Sequence, residues 1–361
     1  MNQKIKFNNY GPQQNWINGE YHPSTSEKTI SVISPYFDQE IATIPESNFA
    51  DLDHAVQKAK VAFPAWASLN VRDRAEVMFN LKSIIENNLA ELIALDNGKT
   101  VADAKGSILR GKEVVEFATS LPSILRGDSS PVGAGITCTM TQEPLGVVAG
   151  ITPFNFPAMV PLWMIPLAIT TGNCFILKPS EQTPLSTFKL AEYLKEAGLP
   201  DGVFNIVNGA REVVEGICDH PDSKAVAFVG SSHVARIVYA RSAANGKRAL
   251  CLGGAKNHMI VVPDADQDST AKGLLASSMG SAGQRCMAAS VAVGVANLNP
   301  IIDQLVEEAK NYKLGVDMGS IVSKAALERI TNYIDEAEKM GAKILIDGRN
   351  SKPPEGYENG Y

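Results

Sequence analysis

The chain has 361 residues, of which 45% are hydrophobic, and this is more than one hydrophobic core usually supports, so we expect two or more domains. Its formal net charge is -6, and its lysines and arginines are scattered along the chain, which argues against nucleic acid as the main partner. These properties favour a folded enzyme that acts on a small molecule.

The first residues and the cysteines predict where the protein works. The start, MNQKIKFNNYGPQQNWINGEY, has neither the apolar run of a secretion signal nor an Arg-rich amphipathic helix, so we expect a cytoplasmic protein. The five cysteines are widely separated and form no CxxC pair, which predicts reduced thiols rather than disulfides or a zinc site. The uncharged run at 144–177 is broken by glycines and prolines, so we interpret it as short core elements and not as a membrane span.

The first third of the chain is predicted to be helical. Apolar residues recur at helical spacing from 47 to 100, with Asp and Asn near the boundaries as caps, and another helix is expected from about 101 to 121. The segment 127–143 then combines turn residues with the alternating stretch ITCTMTQ. This pattern is typical of an exposed hairpin arm that pairs with a partner.

From residue 144 onward, short apolar strands alternate with helices. The predicted strands are GVVAGI, CFILK, VFNIV and AVAFVG, and the predicted helices lie near 157–171, 187–198, 211–219 and 232–245. This alternation predicts right-handed crossovers and a parallel sheet that is covered on both faces. Such a sheet is typical of nucleotide-binding proteins, although the same fold serves many functions.

A second unit is predicted to begin near RALCLGGAKNHMIVVPDAD. It contains a helix at 270–280, a strand near VAVGVA, helices at 300–311 and 324–340, and a strand at AKILIDG. The loop-like ending PPEGYENGY follows soon after that strand. We therefore expect the sheet of the second domain to be incomplete.

One cysteine lies among small residues in the segment GSAGQRCMAAS, residues 280–290. Small neighbours allow a substrate to approach Cys286, and Arg285 favours the thiolate, which matters because a free thiol with a pKa of ~8.5 is mostly protonated at neutral pH. The alternative is a small buried hydrophobic residue, which is the commoner role of a cysteine. This segment alone leaves both roles open.

Two further motifs lie at the ends of predicted strands. In ITPFNFP, prolines fix the backbone around Asn155, whose amide suits a developing oxyanion, although a turn asparagine is the alternative. In FILKPSEQTP, Lys178 and Glu181 follow a strand at the carboxyl edge of the sheet, where such folds bind ligands. A glutamate that accepts hydrogen bonds from ribose hydroxyls repels a 2'-phosphate, so NAD is favoured over NADP. The alternative is a solvated loop.

A weaker phosphate signal is FVGSSHVAR, residues 228–236. It forms a strand-to-helix turn at which backbone N–H groups can face a phosphate, but it is not a GxGxxG motif. Gly230 also has a simpler explanation, because a glycine often ends a strand.

Taken together, the stretches PFNFP, KPSEQTP, FVGSS, LGGAKNH and GQRC resemble the NAD-dependent aldehyde dehydrogenases, in that family's order and over nearly the whole chain. The resemblance implies an α/β fold with a Rossmann-like parallel-sheet domain, a second α/β catalytic domain and an oligomerisation arm, with the C-terminal part missing. It implies an NAD-binding domain at 1–126 and 144–250, the arm at 127–143 and an incomplete catalytic domain at 251–361. It also implies a homotetramer that is built through the arm.

The same resemblance assigns roles to individual residues. It makes Cys286 the nucleophile, and it forms the oxyanion hole from Asn155 and the backbone N–H of Cys286. The implied cofactor-binding residues are Thr152, Phe154, Lys178, Glu181, Gln182, Gly230, Ser231 and Gly253.

The sequence departs from the hydrolytic members of that family at one position. These members carry a glutamate, the general base, directly before Leu-Gly-Gly, whereas this chain carries Cys251 and has no glutamate from 216 to 306. A thiol attacks the enzyme thioester and releases its acyl group more readily than unactivated water does, so coenzyme A is the expected co-substrate.

The strings GQRCMAAS, GGAKNH and LRGKEVVEFA resemble the CoA-acylating methylmalonate-semialdehyde dehydrogenase branch. This resemblance implies oxidation of methylmalonate or malonate semialdehyde to propanoyl-CoA or acetyl-CoA, with a place in valine or inositol catabolism. Arg110 and Arg285 match arginines implicated in the substrate site of that branch, where a guanidinium pair suits a carboxylate. For Arg110 the alternative is an exposed helix residue.

Two more departures bear on the cofactor. Ala235 occupies the place at which many relatives carry the second glycine of the turn, and the later glutamate that contacts the nicotinamide ribose is missing from this chain. Two other functions therefore stay open. One is a hydrolytic aldehyde dehydrogenase, and the other is a truncated subunit or scaffold without activity.

Overall fold

The structure is a computed structural model that describes residues 4–85, 88–295 and 297–361. Its strands are β1 (Asn15–Ile17), β2 (Glu20–His22), β3 (Thr29–Ser34), β4 (Gln39–Pro45), β5 (Asp128–Gly133), β6 (Ile136–Met140), β7 (Val147–Ile151), β8 (Cys174–Lys178), β9 (Phe204–Ile206), β10 (Ser223–Val229), β11 (Arg248–Leu252), β12 (Asn257–Val261) and β13 (Ala289–Gly294). Its helices are α1 (Phe49–Ser68), α2 (Val71–Ile84), α3 (Asn88–Asn97), α4 (Val101–Thr119), α5 (Leu121–Ile124), α6 (Met159–Thr170), α7 (Leu185–Glu196), α8 (Arg211–Asp219), α9 (Ser232–Ala244), α10 (Gln267–Met279), α11 (Asn299–Lys310) and α12 (Lys324–Lys339).

The larger sheet has the strand order β11-β10-β7-β8-β9-β1-β2. From β11 to β9 all neighbouring strands are parallel, as the alternation of strands and helices predicts. Strands β7 and β8 are buried along their whole length, because helices cover both faces, and this explains why residues 144–177 carry no charge. The predicted parallel sheet is therefore confirmed.

The N-terminal strands were not predicted. Strand β1 pairs antiparallel with both β9 and β2, and β3 pairs antiparallel with β4 in a separate sheet. Strands β1 and β2 have three residues each, too few to show a period-two pattern. The place of β1 in the larger sheet depends on a partner 190 residues away in sequence, since Trp16 lies opposite Ile206.

Side-chain caps fix where the helices of the first layer begin. Asn48 and Asp51 form a capping box at the start of α1, and Asn70 caps α2. Thr100 accepts a hydrogen bond from the backbone N–H of Asp103 and so fixes the start of α4. This start places Lys99 and Asp103 beside the site described below.

A separate two-stranded sheet consists of the parallel pair β12 and β13, which packs on α10 and α11 around a small core. The prediction of a strand at AKILIDG is wrong, because residues 342–348 form no strand and Leu345 is 50% exposed. An apolar run forms a strand only where a neighbouring strand can pair with it, and the described residues offer none there. Strand β11 spans the predicted domain boundary at 250/251 and pairs with β10 as far as Leu252. The domain boundary itself stays a prediction.

The hairpin of β5 and β6 is exposed along both strands. This agrees with the hairpin expected at 127–143, although its pairing with a partner stays a prediction. Among the described residues, no helix combines the length and apolarity that crossing a bilayer requires.

Candidate active site

The carboxyl ends of β7, β8 and β10 meet at one edge of the larger sheet, as they do in every parallel sheet. The loops that follow these strands line a cavity of about 830 Å³. This lining contains every residue that the sequence analysis expects to bind the cofactor, namely Thr152, Phe154, Lys178, Glu181, Gln182, Gly230, Ser231 and Gly253. Four distant motifs of the sequence therefore share one cavity.

A buried lysine holds the carboxylate of this cavity. Lys178 Nζ donates to Glu181 Oε2 at 2.8 Å, and the Lys178 side chain is 6% exposed whereas that of Glu181 is 43% exposed. Burial raises the pKa of Glu181, but the nearby Lys178 ammonium and a backbone N–H together outweigh this effect and lower the pKa below its usual value. Glu181 is thus an ionised acceptor at neutral pH, which suits ribose hydroxyls and repels a 2'-phosphate.

The opposite wall is formed by the start of α9. Ser231 caps this helix by accepting a hydrogen bond from the Val234 N–H, and both residues line the cavity. The first N–H groups of a helix lack intrahelical partners and favour phosphate oxygens. A carboxylate for ribose, a helix start for phosphates and the cavity volume together fit a dinucleotide.

Two glycines let this wall pack closely. A Cβ at Gly230 would lie 2.5 Å from the Phe228 ring, and one at Gly253 would lie 2.9 Å from Ser232 Oγ. Ala235, at the position where many relatives carry a glycine, is buried, and α9 packs against β10 and β11. The alanine is therefore compatible with this packing.

Cys286 lies in the wall between two cavities. It lines the cavity of about 830 Å³ and also a second one of about 560 Å³. Its side chain is partly exposed rather than sealed in a core. The alternative of a buried hydrophobic residue therefore fails for Cys286.

The backbone around Cys286 is held by side-chain amides and includes two residues with positive φ. Ser281 and Ala282 adopt φ values of 52° and 53°, which non-glycine residues rarely do. Gln284 Nε2 donates to the carbonyls of Ser281 and Ser320, at 3.1 and 3.3 Å. Asn257 Nδ2 donates to the Cys286 carbonyl at 2.8 Å.

Asn155 connects the loop after β7 with this cysteine loop. Its Nδ2 donates to the Gln284 carbonyl at 3.0 Å, and its backbone carbonyl accepts a hydrogen bond from Lys99 Nζ at 2.6 Å. An amide nitrogen carries two hydrogens, so Nδ2 can donate to an oxyanion as well as to Gln284. Asn155 and Cys286 line the same cavity, as an oxyanion donor and its nucleophile require.

The two predicted substrate arginines both line the second cavity, and each already has an acidic partner. Arg285 donates to Asp103 Oδ1 at 2.5 Å, and Arg110 contacts Glu113 of its own helix at 3.1 Å. Asp103 Oδ2 also accepts the Ser281 N–H at 3.1 Å. Arg110 is largely exposed, so its guanidinium is free to leave Glu113 for a substrate carboxylate.

Cys251, which stands where hydrolytic relatives carry their base, does not line either cavity. Burial raises the pKa of its thiol, so it is a poor base at neutral pH. The glutamates that do line the larger cavity are engaged by cations, Glu181 by Lys178 and Glu215 by Arg211. Among the described residues, both glutamates of the larger cavity are therefore paired with a cation.

Sequence reasoning missed Lys99, which donates a hydrogen bond to the Asn155 carbonyl. Its pattern, DNGKT before α4, indicates only a helix start. Other missed lining residues of the larger cavity are Ser180, Ala210, Arg211, Val214, Glu215, His233 and Gly254. A strand-end position was a usable signal for Ser180, but none marked Lys99.

Comparisons with known proteins agree with this geometry. The model of the family described as "Aldehyde dehydrogenase family" matches residues 21–361. A Mus musculus protein named methylmalonate-semialdehyde/malonate-semialdehyde dehydrogenase [acylating], mitochondrial, is 43% identical over 96% of this chain and 66% of its own length. Malonate-semialdehyde dehydrogenase 1 of Geobacillus thermodenitrificans is 46% identical over 95% of this chain and 73% of its own length.

Solved structures show the same likeness. A candidate methylmalonate-semialdehyde dehydrogenase of Sinorhizobium meliloti 1021, in complex with NAD, has a TM-score of 0.95 and 44% identity over 98% of this chain and 74% of that one. The methylmalonate-semialdehyde dehydrogenase of Oceanimonas doudoroffii has a TM-score of 0.94 and 41% identity, covering 97% and 74%. The chain spans about two thirds of the length of the mammalian relatives. It belongs to the aldehyde dehydrogenase family.

Proposed function

We propose that this protein oxidises malonate semialdehyde or its 2-methyl form with NAD and transfers the acyl group to coenzyme A. The proposal rests on one observation, the position of Cys286 between a cavity suited to a dinucleotide and a cavity lined by Arg110 and Arg285. It is supported by relatives of 43 and 46% identity that are named for this activity or its malonate form.

The chemistry begins with the Cys286 thiolate, which adds to the aldehyde carbon. This forms a carbon–sulfur bond and moves an electron pair onto the carbonyl oxygen, giving a hemithioacetal oxyanion. The Asn155 amide and the backbone N–H of Cys286 stabilise that oxygen by hydrogen bonds. NAD, when bound, supplies the hydride acceptor that turns the adduct into a thioester; Thr152, Phe154, Lys178, Glu181, Gln182, Gly230, Ser231 and Gly253 would hold it.

The thioester then carries a carboxylate on its second carbon. Loss of CO2 leaves an electron pair that is delocalised onto the thioester oxygen, inside the same oxyanion hole, before the carbon takes a proton. Coenzyme A thiolate then attacks the thioester, releases the Cys286 thiolate and leaves as propanoyl-CoA or acetyl-CoA. Arg110 and Arg285 bind the carboxylate of the incoming substrate.

We expect coenzyme A, rather than water, to accept the acyl group because the described part of the site lacks the glutamate base of the hydrolytic members. Cys251 replaces the usual glutamate, and Glu181 and Glu215 are held by cations. A thiol has a useful thiolate fraction near neutral pH without such a base.

The test is formation of NADH by the purified protein from malonate semialdehyde, with and without coenzyme A. We expect sustained turnover only with coenzyme A and acetyl-CoA as product. Equal turnover with water alone would show a hydrolytic enzyme and contradict the acylating assignment. No NADH under either condition, together with no thermal shift on adding NAD, would overturn the enzymatic proposal in favour of a scaffold.

The remaining assignments belong to the same proposal. We propose an NAD-binding domain at 1–126 and 144–250, an arm at 127–143 and a catalytic domain at 251–361, in a cytoplasmic protein. The arm would pair with other copies in a tetramer, which is consistent with the full exposure of β5 and β6.

A further inference from the structure

Lys99 is buried against the loop that carries Asn155. It is 1% exposed and is among the largest fully buried side chains of the protein. Its Nζ donates to the backbone carbonyl of Asn155 at 2.6 Å and lies 4.2 Å from the centre of the Phe156 ring. Burying an ammonium group is costly, so its presence here calls for a reason beyond packing.

The residues beside Lys99 contact the Asn155 loop directly and reach the Cys286 loop through Ser320. Asn97 Nδ2 donates to the Phe154 carbonyl at 2.8 Å, in the loop of the oxyanion amide. The Gly98 carbonyl accepts the Ser320 N–H at 2.7 Å, and the Ser320 carbonyl accepts Gln284 Nε2 at 3.3 Å, in the loop of the nucleophile. The segment 97–99 therefore joins the two loops that must stay in register for the reaction.

The donor to the Asn155 carbonyl differs from the donors beside it. Neutral groups of Asn97 and Thr183 hold the preceding carbonyl, that of Phe154. The Asn155 carbonyl instead receives the charged donor, and a charged donor makes a shorter and stronger hydrogen bond. Asn155 is thus fixed twice, at its backbone by Lys99 and at its amide by the Gln284 carbonyl.

We propose that Lys99 is a positioning residue that holds the Asn155 amide in place for the oxyanion formed on Cys286. The inference deepens the proposed function and rests on its assignment of Cys286 as nucleophile. An oxyanion donor must keep its position to within about 0.5 Å, and loss of one such donor costs about 100- to 1000-fold in rate. Loss of the residue that holds the donor should cost less, about 10- to 100-fold.

The test compares two reactions of the same sulfur that need neither NAD nor coenzyme A. In the first, Cys286 attacks p-nitrophenyl acetate, passes through an oxyanion, expels p-nitrophenolate and keeps the acetyl group as a thioester. In the second, Cys286 displaces iodide from the saturated carbon of iodoacetamide, and no oxyanion forms. Both are followed on the peptide that contains Cys286, with Cys286→Ala as background.

We expect Lys99→Met to slow acylation by about 10- to 100-fold while alkylation changes less than about threefold. The matched control is Lys112→Met, which removes a lysine that donates to the Ile85 carbonyl at 3.2 Å and lines neither cavity. Lys112→Met should leave both rates unchanged. If Lys99→Met lowers the acylation and alkylation rates equally, or lowers neither rate, the inference is overturned.

A double-mutant cycle shows whether Lys99 acts through Asn155. In an Asn155→Ala background, Lys99→Met should cost little further acylation, whereas additive losses would contradict the proposal. Lys99→Arg keeps a charged donor and should restore most of the acylation rate, so the inference remains testable if the methionine variant does not fold. Absence of NADH formation alone would count against the proposed function and leave the acylation result intact.

Discussion

At the scale of single residues, the site depends on a few side chains whose charges are set by close neighbours. Lys178 keeps Glu181 ionised, and Asp103 holds both Arg285 and the Ser281 N–H. Cys286 is partly exposed to two cavities, so a substrate and a cofactor can approach its sulfur from different sides. Predictions at this scale therefore concern individual charges and one sulfur atom.

Replacing Cys286 by alanine should abolish NADH formation, because the proposed thioester forms on the Cys286 sulfur. Cys251→Ala is the matched control, since burial raises the pKa of the Cys251 thiol and it lines neither cavity. The measurement is NADH formation, with mass spectrometry of peptides alkylated by iodoacetamide, which separates Cys286 from the exposed Cys138. Full activity of Cys286→Ala would refute the nucleophile.

Glu181→Gln should weaken NAD binding by about tenfold and narrow the preference for NAD over NADP. The amide keeps a hydrogen-bond acceptor for the ribose but removes the charge that repels a 2'-phosphate, and a charged hydrogen bond is worth roughly 1.5–3 kcal/mol. Titration calorimetry with both dinucleotides measures the ratio. Glu192→Gln, an exposed pair with Lys189 on α7, is the control. An unchanged NADP/NAD ratio contradicts the role of Glu181.

Lys99 should make folding stability depend on pH above neutrality. Burial lowers its pKa from 10.5 to about 8, with smaller effects from Asp103 and Asp96, which raise it, and Arg285, which lowers it. Below pH 8 the ammonium is charged in both states and its burial costs stability. Between pH 8 and 10.5 the unfolded chain binds more protons than the folded chain does.

The free energy of unfolding of the wild type, relative to Lys99→Met, should therefore rise by roughly 3 kcal/mol across that interval. Urea unfolding of both proteins at several pH values provides the difference, and other titrating groups cancel in it. A difference that stays flat with pH would show that Lys99 keeps its ordinary pKa in the folded protein.

At the scale of elements, α4 matters most because it supplies residues to the second cavity while packing against α6. Asp103 and Arg110 lie on its cavity side, and Gly111 faces α6. A Cβ at Gly111 would lie 2.7 Å from Leu162 Cδ1 and 3.2 Å from Leu162 Cβ. The glycine thus lets the two helices approach closely, which fixes the distance of α4 from the site.

Gly111→Ala should destabilise the protein by about 1–2 kcal/mol, because overpacking outweighs the better helix propensity of alanine. Gly106→Ala on the same helix meets nothing within 4 Å and should stabilise by up to about 1 kcal/mol. Thermal and urea unfolding compare the two variants. Equal effects of both substitutions would mean that the contact with Leu162 relaxes without cost.

At the scale of the whole molecule, the site involves the larger sheet and the sheet of β12 and β13, whose hydrophobic cores differ in size. The larger sheet has an extensive core, whereas the core under β12 and β13 consists of Val261, Ala271, Leu274 and Ile301 with partly buried neighbours. The cysteine loop leads into β13, so Cys286 lies next to the unit with the smaller core. The exposed hairpin of β5 and β6 is the other prominent feature at this scale.

The proposed arm predicts that replacing Asp128–Met140 by a short Gly/Ser loop lowers the oligomeric state without unfolding the core. The hairpin is exposed throughout, so its removal uncovers little buried surface within one chain. Analytical ultracentrifugation measures the mass, and circular dichroism verifies the fold. A control with Ser129→Ala, one exposed hairpin residue, should keep the parent mass. An unchanged mass after the deletion would contradict the arm.

Much of the fold followed from the sequence because the relevant signals are local. The alternation of strands and helices after residue 143 predicted the parallel sheet, and chain direction alone brought Asn155, Glu181 and Gly230 to one edge. The helix starts were equally local, since Asn48 and Thr100 cap the helices that follow them. The strand predicted at AKILIDG was wrong, because no described strand is placed to pair with it.

The sequence by itself determined the helices, most strands, the sheet edge and the family motifs, since these depend on residue spacing and on the residues next in the chain. Only the tertiary structure decided that β1 joins the sheet beside β9, that Asp103 pairs with Arg285 and that Lys99 holds the Asn155 carbonyl. Each of these contacts joins residues that are distant in sequence. Their energies depend on burial and approach distance, which exist only once the chain has folded.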